Sequence, residues 1–400
     1  MMGEVYLVGF LRTPFSRSRP KEPQRDVFHQ IRGDELMAMV LDKLPERVGI
    51  KKSDVNRVLV GCAFPVWENW AYGGKSPVLL AKYPVEVSTT LMDMQCASSI
   101  ITTMYAYLEI ASGVADVVIA GGYEHMTRVP MGAENPYVAR NEKFLSEEYK
   151  EYDMRVGFVM GLTAEKLFEE AKEKFGMTKR DMDEWGVRSH KLAAKALEEG
   201  YFKGEILPIE APQADGRKVI VDRDQSIRAD TTLETVEKLP PAFRPDGAIT
   251  AGNSSPLNAG ASAVMLMSKE KARELGIEPI AKFKSFGYAG VPPNVMGKGP
   301  VPASKMALQK AGLKVGDIDY WEINEAFAIV PLYAIKELGI EAERVNAKGG
   351  AIAIGHPLAA SGARLIGTLS RILHEKGGDY GLATACVGGG QGAACIIERV

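Results

Sequence analysis

The amino-acid sequence predicts an α/β protein of two similar halves, with a long segment inserted into the first half. Helical patterns alternate with short apolar strands along the chain, which is typical of layered α/β proteins. Residues 308–327 and 361–389 repeat the patterns of residues 41–64 and 96–122, a period of roughly 265 residues that is too long for a solenoid. Between 125 and 249, charged residues, Met and Pro become more frequent. We therefore expect two related halves packed about a pseudo-twofold axis.

The first half is predicted to begin with a strand and to continue with alternating helices and strands. Apolar residues spaced by three or four predict helices, and short β-branched runs such as ADVVIAGG predict buried strands. The predicted elements are a strand at 4–10, an irregular polar stretch at 15–32, a helix at 33–44, a strand at 56–61, a helix at 96–112 and a strand at 115–122.

The inserted segment is predicted to be helical at first and rich in loops later. Its predicted elements are helices at 163–175 and 182–200, and a short strand at 218–221 within a loop-rich stretch at 208–245. The apolar pattern resumes at Ala248 and includes a central strand at 262–268. The predicted domains are 1–124 with 250–275 for the first half, 125–249 for the insertion and 276–400 for the second half.

The composition is that of an ordinary globular protein with no preference for polyanions. The 400 residues carry a net charge of −2, so we expect neither nucleic acid nor an anionic membrane as a partner. No apolar run approaches the roughly 18 residues of a membrane span, and no signal peptide is recognised, so membrane insertion is not expected. The four cysteines form no CxxC pair, which favours reduced thiols in a cytoplasmic protein.

Cys96 lies directly before a predicted helix whose first turn holds only the small residues Ala97, Ser98 and Ser99. The backbone N–H groups of this turn are therefore unobstructed. The positive end of a helix dipole favours thiolate over thiol, so the position suits a nucleophile. A buried structural cysteine is the alternative, because free cysteines are among the most buried residues.

His356 lies between Gly355 and Pro357, in a loop just ahead of a predicted helix at 361–375. If the halves pack symmetrically, the N-terminus of this helix faces that of the helix after Cys96. Glycine and alanine flank the histidine, so no bulky neighbour shields its ring, and the imidazole can accept the thiol proton. A structurally satisfied or solvated histidine is the alternative.

Two further stretches of the second half carry polar groups at strand ends. Cys386 closes the strand GLATACVGGG, and the glycines from Gly388 onward leave backbone N–H groups free to approach a ligand. Asn324 and Glu325 end an apolar strand, where burial of an amide or carboxylate needs a reason. An asparagine can hold a water or donate to an oxyanion. A strand cysteine before a tight turn and a structural cap are the respective alternatives.

Four sequence blocks, in this order and spacing, resemble the signature motifs of the thiolase family: QCASS, NEAFA, GGAIAIGHPLAASGAR and CVGGGQGAA. The stretches RTPF, GGYEHMTRVPM, MGLTAE and TAGNSS are similar to its remaining motifs, so the resemblance covers nearly the whole chain. It implies a layered α-β-α-β-α fold of two pseudo-twofold-related halves with an inserted loop domain. Ala359 stands where the family usually has Gly, and Ala259 where it usually has Asp. MGLTAE is closer to the degradative 3-ketoacyl-CoA thiolases than to the biosynthetic members.

The resemblance implies a role for each residue that carries chemistry. Cys96 would be the acyl-accepting nucleophile, His356 its activator and Cys386 the acid/base. Asn324 would hold a water that completes one oxyanion hole, and the backbone N–H groups of Cys96 and Gly388 would form another. The implied reaction is thiolytic cleavage of a 3-oxoacyl-CoA by CoA, or the reverse Claisen condensation of two acetyl-CoA, through an acyl-Cys96 intermediate.

Coenzyme A enters this reaction as a substrate, and the resemblance implies no permanently bound cofactor and no metal. It also implies a homodimer or homotetramer that acts on small acyl-CoA molecules, with a β-oxidation partner subunit as a further candidate. The coenzyme A contacts implied by the motifs are Met160, Arg228, Thr235, Phe243, Ala251, Ser255 and Phe327.

Three other functions compete with a thiolase. A decarboxylating condensing enzyme of the same fold would need a second histidine where Asn324 or Cys386 stands. A catalytically silent acyl-CoA or lipid carrier could lose a reactive cysteine, whereas this chain keeps all four reactive groups. A Cys/His metal site built from two cysteines and one histidine would lack a ligand.

Overall fold

The computed structural model describes residues 3–131, 135 and 140–400, in which helices alternate with strands as predicted. The strands are β1 (Val5–Arg12), β2 (Ser16–Arg17), β3 (Arg57–Gly61), β4 (Ser88–Met92), β5 (Val117–His125), β6 (Ile209–Pro212), β7 (Lys218–Val221), β8 (Asn258–Ser268), β9 (Ala281–Gly290), β10 (Tyr320–Ile323), β11 (Tyr380–Val387) and β12 (Gln391–Arg399). The helices are α1 (Gly33–Val48), α2 (Lys75–Leu80), α3 (Ser98–Ala111), α4 (Met154–Gly157), α5 (Met160–Phe175), α6 (Lys179–Glu198), α7 (Leu233–Glu237), α8 (Lys269–Leu275), α9 (Pro300–Ala311), α10 (Ile329–Leu338), α11 (Ala351–Ile354) and α12 (Ser361–Lys376). None of these helices is long and apolar enough to cross a membrane.

Ten strands form one sheet in the order β10-β11-β12-β9-β1-β8-β5-β3-β4, with β2 beside β8. In the first half, β3 is parallel to β5, β5 is antiparallel to β8, and β8 is antiparallel to β1. In the second half, β10 is parallel to β11, β11 is antiparallel to β12, and β12 is antiparallel to β9. The halves share one strand order and one set of pairing directions, so the repeat predicted from the sequence is confirmed.

The two halves join where the equivalent strands β1 and β9 meet. These strands pair antiparallel through only two residue pairs, Tyr6 with Lys282 and Leu7 with Ala281. An antiparallel pairing of equivalent strands is what a twofold relation between the halves produces. Because this strand pairing is short, most of the contact between the halves is made by the helices that lie between them.

Three apolar cores separate the layers. One packs α1 against the outer face of the first half, and a second packs α5, α9 and α10 against the outer face of the second half. The third lies between the halves and combines Leu59 and Ile100 of the first with Leu369 and Ala385 of the second. Helices α3 and α12 therefore pack between the halves, α12 with most of its residues buried and α3 with Tyr105 and Leu108 exposed on its other face, which gives the predicted α-β-α-β-α layering.

The first turns of α3 and α12 touch each other. Ser99 Oγ accepts a hydrogen bond from the backbone N–H of Ala363 at 2.8 Å. Gly362 permits this approach, because a Cβ there would lie 2.5 Å from the backbone nitrogen of Ile100. The small residues that open both helices are thus explained by the close approach of two helix ends.

The chain between β5 and β8 carries α4 to α7 and the β6–β7 hairpin, and α6 packs on the second half. Trp185 Nε1 and Ser189 Oγ of α6 donate to the carboxylate of Glu325 at 2.9 and 2.7 Å. Asn346 Nδ2 and the backbone N–H of Ile352 donate to it at 2.8 and 3.2 Å. Four donors satisfy Glu325, so this buried carboxylate ties α6 to α11 and has a structural explanation.

Some element boundaries differ from the sequence prediction. The helix predicted at 96–112 begins as the 3-10 turn Gln95–Ala97 and becomes α-helical only at Ser98. The helix predicted at 33–44 continues past Pro45 to Val48. Strands β2 and β4 and helix α2 were not predicted, because two of them are very short and β4 is a partly exposed edge strand without apolar alternation.

Candidate active site

Cys96 lies in a 3-10 turn where β4 leads into α3, and its thiol is partly buried. Gln95 adopts a positive φ of 45° in this turn, and its Nε2 donates to the carbonyl of Ala63 at 3.0 Å. Ser98 donates its hydroxyl to the carbonyl of Gln95 at 2.7 Å. Hydrogen bonds of the Gln95 side chain and of the Gln95 carbonyl thus fix the turn that carries Cys96.

The surroundings of the Cys96 thiol do not stabilise a thiolate in the resting protein. Burial raises its pKa to about 12, and the carboxylates of Glu124 and Asp93 add to this effect, whereas the backbone N–H groups of Gly388 and of Cys96 itself lower it. The expectation that the helix dipole would favour the thiolate is therefore wrong. The α-helix begins only at Ser98, and the cost of desolvating the charge outweighs the dipole.

His356 is buried, and its ring is held at both nitrogens. Its backbone N–H donates to Asn258 Oδ1 at 2.7 Å. Nδ1 lies 2.5 Å from Ser361 Oγ, and Nε2 lies 3.2 Å from Asn324 Nδ2. Burial, and then the nearby Arg364 cation, lower the pKa of His356 to about 3, so the imidazole is neutral at pH 7. With the Asn324 amide donating, Nε2 carries the lone pair and Nδ1 donates to Ser361.

Asn324 follows β10 and turns its amide towards the imidazole. Its backbone N–H donates to the carbonyl of Thr384 at 2.9 Å, which fixes the residue beside β11. Its Oδ1 is buried and has no hydrogen-bond partner within the described ranges. Such an unpaired oxygen costs about 1–3 kcal/mol unless a water or a ligand donates to it. The position therefore meets the requirement of the predicted water-holding role.

Cys386 lies in β11 opposite Gly392 of β12 and is completely buried. Burial, and then the neighbouring Cys96 thiol, raise the pKa of Cys386 well above its ordinary value. Gly388 follows β11 and directs its backbone N–H at Cys96. The structure thus brings one thiol from each half together, next to a backbone donor.

The cluster of Cys96, Cys386, His356 and Asn324 is uncharged at rest. Neither ring nitrogen of His356 has Cys96 as its hydrogen-bond partner, since Nδ1 and Nε2 contact Ser361 and Asn324. Catalytic hydrogen bonds often form or tighten only when substrate binds, so the lack of a Cys96–His356 hydrogen bond at rest does not exclude proton transfer between them. A thiol nucleophile, a neutral base and a second thiol suit acyl transfer. Within the described residues, no group of three or more His, Cys, Asp or Glu side chains could hold a metal ion.

Glu124 is a buried carboxyl that the sequence analysis did not single out. It accepts hydrogen bonds from the backbone N–H groups of Ala63 at 3.0 Å and of Phe64 and Ala359 at 3.4 Å. Burial raises the pKa of Glu124 to about 7. Cys96 and Phe64 both pack against a small apolar cluster that contains Ala63 and Ala359, so Glu124 fixes backbone groups of the wall beside the thiol. An acidic residue near the end of a fully buried strand is the sequence signal that marks it.

Three of the seven predicted coenzyme A contacts line one cavity of about 180 Å³: Arg228, Thr235 and Ala251. Arg17 and His190 also line this cavity, and neither was predicted from the sequence because both lie outside the recognised motifs. His190 Nδ1 accepts a hydrogen bond from the backbone N–H of Arg228 at 3.2 Å. Burial, and then the Arg228 cation, lower the pKa of His190 to about 4, so its ring is neutral.

The other four predicted coenzyme A contacts, Met160, Phe243, Ser255 and Phe327, are not among the residues that line this cavity. The rings of Phe243 and Phe327 meet edge to face, with centroids 6.0 Å apart. The backbone N–H and the hydroxyl of Ser255 both donate to the carbonyl of Ala326, in the NEAFA segment directly before Phe327, at 3.0 and 3.1 Å. Met160 opens α5, and its sulfur would lie 3.4 Å from a Cβ placed on Gly388. Met160 therefore adjoins the donor that faces the nucleophile.

Comparisons with known proteins agree with this architecture. A relative from Marinobacter nauticus named 3-ketoacyl-CoA thiolase is 41% identical over 405 residues, covering 99% of this chain and 98% of its own. The solved acetyl-CoA acetyltransferase of Bacillus anthracis has a TM-score of 0.87 and 34% identity, covering 100% of this chain and 99% of its own. Human mitochondrial 3-ketoacyl-CoA thiolase in complex with CoA has a TM-score of 0.86 and 30% identity, with 100% and 98% covered.

Two family models together match nearly the whole chain. The thiolase N-terminal domain matches residues 5–270, and the thiolase C-terminal domain matches residues 277–399. Both the fold and the family resemblance predicted from the sequence are therefore confirmed. With both domains matched in order and full-length relatives at about 40% identity, the chain belongs to the thiolase family of acyltransferases.

Proposed function

We propose that this chain is a degradative thiolase. It cleaves a 3-oxoacyl-CoA with CoA to give acetyl-CoA and a shortened acyl-CoA, and it also catalyses the reverse condensation of two acetyl-CoA. The observation that carries the proposal is the meeting of Cys96 and Cys386, one from each half, beside His356 and Asn324. The names of the relatives, 3-ketoacyl-CoA thiolase, support the degradative direction.

The first half-reaction transfers the acyl group to Cys96. As its sulfur attacks the keto carbon of the substrate, the thiol proton passes to Nε2 of the neutral His356. The carbon–carbon bond next to the keto group then breaks, and its electron pair forms the enolate of acetyl-CoA. Cys386 protonates the enolate carbon and becomes a thiolate. The acyl group stays on Cys96 as a thioester.

The second half-reaction passes the acyl group to the incoming CoA. The Cys386 thiolate takes the proton of the CoA thiol, and the CoA sulfur attacks the carbonyl of the acyl-enzyme. Cys96 leaves as a thiolate and recovers its proton from His356. Two separate proton carriers are needed because protons move both at the nucleophile and at the departing or arriving substrate.

Two sets of donors fit the two oxygens that gain negative charge. The backbone N–H groups of Cys96 and Gly388, which already face the thiol, would donate to the oxygen of the reacting keto carbon. His356 and a water on Asn324 would stabilise the enolate oxygen, and the unpartnered Oδ1 of Asn324 supports such a water. Donors of this kind are worth about 3 kcal/mol each in the transition state.

We assign the insertion 125–249 to coenzyme A binding, between a first half of 1–124 with 250–275 and a second half of 276–400. The cavity beside Arg228 supports this assignment, since it would take the nucleotide end of the molecule. The pantetheine arm would then pass the Phe243–Phe327 pair and reach Cys96 beside Met160. Coenzyme A acts here as a substrate and leaves with each product.

We further propose a homodimer or homotetramer in the cytoplasm, with a β-oxidation partner subunit as an additional candidate. β4 lies at one end of the sheet, and the chain beside it exposes Trp70, Tyr72, Leu79 and Leu80. An edge strand flanked by large exposed apolar side chains suits an interface between copies. All four cysteines are free, which a thiol nucleophile requires and a reducing cytoplasm maintains.

The proposal is tested by a chain-length series of 3-oxoacyl-CoA substrates with CoA, with acetyl-CoA formation as the readout. The wild-type protein should form acetyl-CoA from at least one chain length, and Cys96→Ser should form none. Cys395→Ala is the matched control, because Cys395 is buried in β12 opposite Ala383, away from the cluster. Absence of acetyl-CoA from the wild-type protein at every chain length would refute the proposed function.

A further inference from the structure

Three arginine side chains near the proposed coenzyme A cavity have no carboxylate partner in the described part of the chain. Arg17 and Arg19 are partly buried and Arg228 is exposed, and none of the three makes a side-chain ion pair within the described residues. Nearby Arg25, by contrast, pairs with Glu22 at 2.6 Å. Because cations that give up part of their hydration are usually paired, this cluster calls for an anion from outside the chain.

The backbone fixes Arg17 firmly in this cluster. Ser16 and Arg17 form β2, which pairs with β8 through Arg17 and Asn258. Ser16 is fully buried, so the alternation of a strand directs Arg17 to the opposite, outer face. Asn258 Nδ2 donates to the carbonyl of Ser16 at 2.7 Å, and its Oδ1 accepts the backbone N–H of His356 at 2.7 Å. One asparagine therefore connects the cationic strand to the catalytic loop.

Arg17 also connects two neighbouring concave surfaces. It lines the 180 Å³ cavity together with Arg228 and Pro256, and it lines an adjoining groove of about 440 Å³ together with Arg19 and Pro256. Burial, and then the cations of Arg19 and Arg228, lower the pKa of Arg17 to about 10. The guanidinium groups thus repel one another across the shared wall.

Two nearby carboxylates, Glu22 and Asp224, are already paired with other arginines: Glu22, which lines the groove, pairs with Arg25. Asp224 is committed to Arg12, which it contacts at 2.7 Å in a fully buried ion pair. A ligand with several negative charges would neutralise the cluster, and planar guanidinium groups are well matched to phosphate oxygens. Coenzyme A carries a pyrophosphate and a 3′-phosphate, whereas a pantetheine thioester carries neither.

We propose that Arg17 and Arg19, acting with Arg228, bind the phosphate groups of coenzyme A and make this protein select full-length CoA thioesters over pantetheine thioesters. This inference rests on the proposed function and adds two residues of the first half to the substrate site. Arg17 lies at the centre, because it borders both the cavity and the groove.

The test compares acetoacetyl-CoA with acetoacetyl-pantetheine as substrates of wild-type protein, Arg17→Ala and Arg19→Ala. Arg17→Ala should raise KM for acetoacetyl-CoA about tenfold and leave kcat unchanged, because uniform binding is lost. KM for acetoacetyl-pantetheine should stay at the wild-type value. Arg17→Lys should recover part of the loss. Arg217→Ala is the control, since Arg217 is exposed and already paired with Asp215.

A direct binding measurement separates this inference from the proposed function. Calorimetric titration with CoA needs no turnover, and Arg17→Ala should weaken CoA about tenfold and reduce the salt dependence of binding. Titration with 3′-dephospho-CoA shows which phosphate Arg17 contacts. If Arg17→Ala weakens 3′-dephospho-CoA as much as it weakens CoA, Arg17 contacts the pyrophosphate. If Arg17→Ala does not weaken 3′-dephospho-CoA, Arg17 contacts the 3′-phosphate. Two results would overturn the inference even if thiolysis proceeds. One is an equal rise in KM for acetoacetyl-CoA and acetoacetyl-pantetheine in Arg17→Ala. The other is an unchanged CoA affinity in the folded variant.

Discussion

At the scale of single residues, burial sets the chemistry of the site more strongly than the helix dipole does. Burial raises the pKa of Cys96 to about 12 and lowers that of His356 to about 3, so both groups are neutral at pH 7. Desolvation disfavours the charged form of each group, and the two effects act in the same direction. The resting protein therefore holds a thiol and an imidazole, and the thiolate forms only as the sulfur attacks.

This account predicts how Cys96 reacts with iodoacetamide. Only the thiolate reacts, and below a raised pKa its fraction grows about tenfold per pH unit, so alkylation should accelerate steadily from pH 7 to pH 10. Peptide mass spectrometry measures the alkylated fraction at Cys96, with the buried Cys395 in the same digest as the unreactive control. A rate that is already constant above pH 6 would instead indicate a preformed thiolate–imidazolium pair.

Cys386→Ser should affect acylation of Cys96 less than proton exchange at the α-carbon of acetyl-CoA. Cys96 and His356 remain in the variant, so acetyl-CoA should still acylate Cys96 to full stoichiometry, although more slowly. Exchange of the acetyl α-protons needs the base itself and should fall by about 10²–10⁴-fold. Deuterium loss from labelled acetyl-CoA measures the exchange. Exchange at the wild-type rate would show that another group, such as His356, is the base.

The residues predicted from the sequence are those whose type is unusual at its position. Cys96, Cys386 and His356 lie in short motifs rich in small residues, and the structure brings them to one place. The buried strand marks Glu124 as an unusual acidic residue, but the roles of Glu124 and Asn258 could not be predicted, because they come from contacts with residues far along the chain. Glu124, for instance, accepts from Ala359, 235 positions away.

At the scale of elements, the sequence predicts long and fully buried segments well. The strands β5 and β8 and the helices α3 and α12 lie where the apolar pattern predicts them, since burial imposes a regular period. β4 could not be predicted, because one edge strand with partly exposed residues carries no alternation. The two-residue strand β2 is too short for any period, although it positions Arg17.

The contact between α3 and α12 is open to a steric test. Gly362→Ala places a Cβ 2.5 Å from the backbone nitrogen of Ile100, so the two helix ends must move apart. We expect a loss of about 1–3 kcal/mol in the free energy of unfolding, as for other overpacked sites, together with a lower kcat. Denaturant unfolding measures the first effect.

Gly316→Ala is the control for this test, because a Cβ there meets no neighbour and its φ is not positive. It should leave both stability and kcat near the wild-type values. If Gly362→Ala behaved like Gly316→Ala, the helix ends would not be in the close contact described above.

At the scale of the whole molecule, two similar halves place one thiol each at their junction. The repeat predicts that the helix ends beside Cys96 and His356 face each other across a pseudo-twofold axis, whereas Cys386 reaches the junction from the end of strand β11. What the repeat could not predict is how the insertion attaches. Glu325 accepts from Trp185 and Ser189 of α6, which holds the insertion against the second half.

The proposed assembly predicts a mass of twice or four times 43.5 kDa in light scattering after size exclusion. Replacing Leu79 and Leu80 together by Glu should shift the protein towards the monomer, because charges would be buried beside β4. Ile220→Glu is the control, since Ile220 is exposed in the β6–β7 hairpin, away from β4. A wild-type mass of 43.5 kDa at all concentrations would contradict the proposed assembly.

The measurement that tests the central claim most directly is the location of the acyl group. Incubation with radiolabelled acetyl-CoA, followed by digestion and peptide analysis, should place the label on the peptide of Cys96. Cys96→Ser should stay unlabelled and inactive, whereas Cys395→Ala should label like the wild type. Label on Cys386 would reverse the roles of the two thiols, and no label on either cysteine would contradict an acyl-enzyme in this protein.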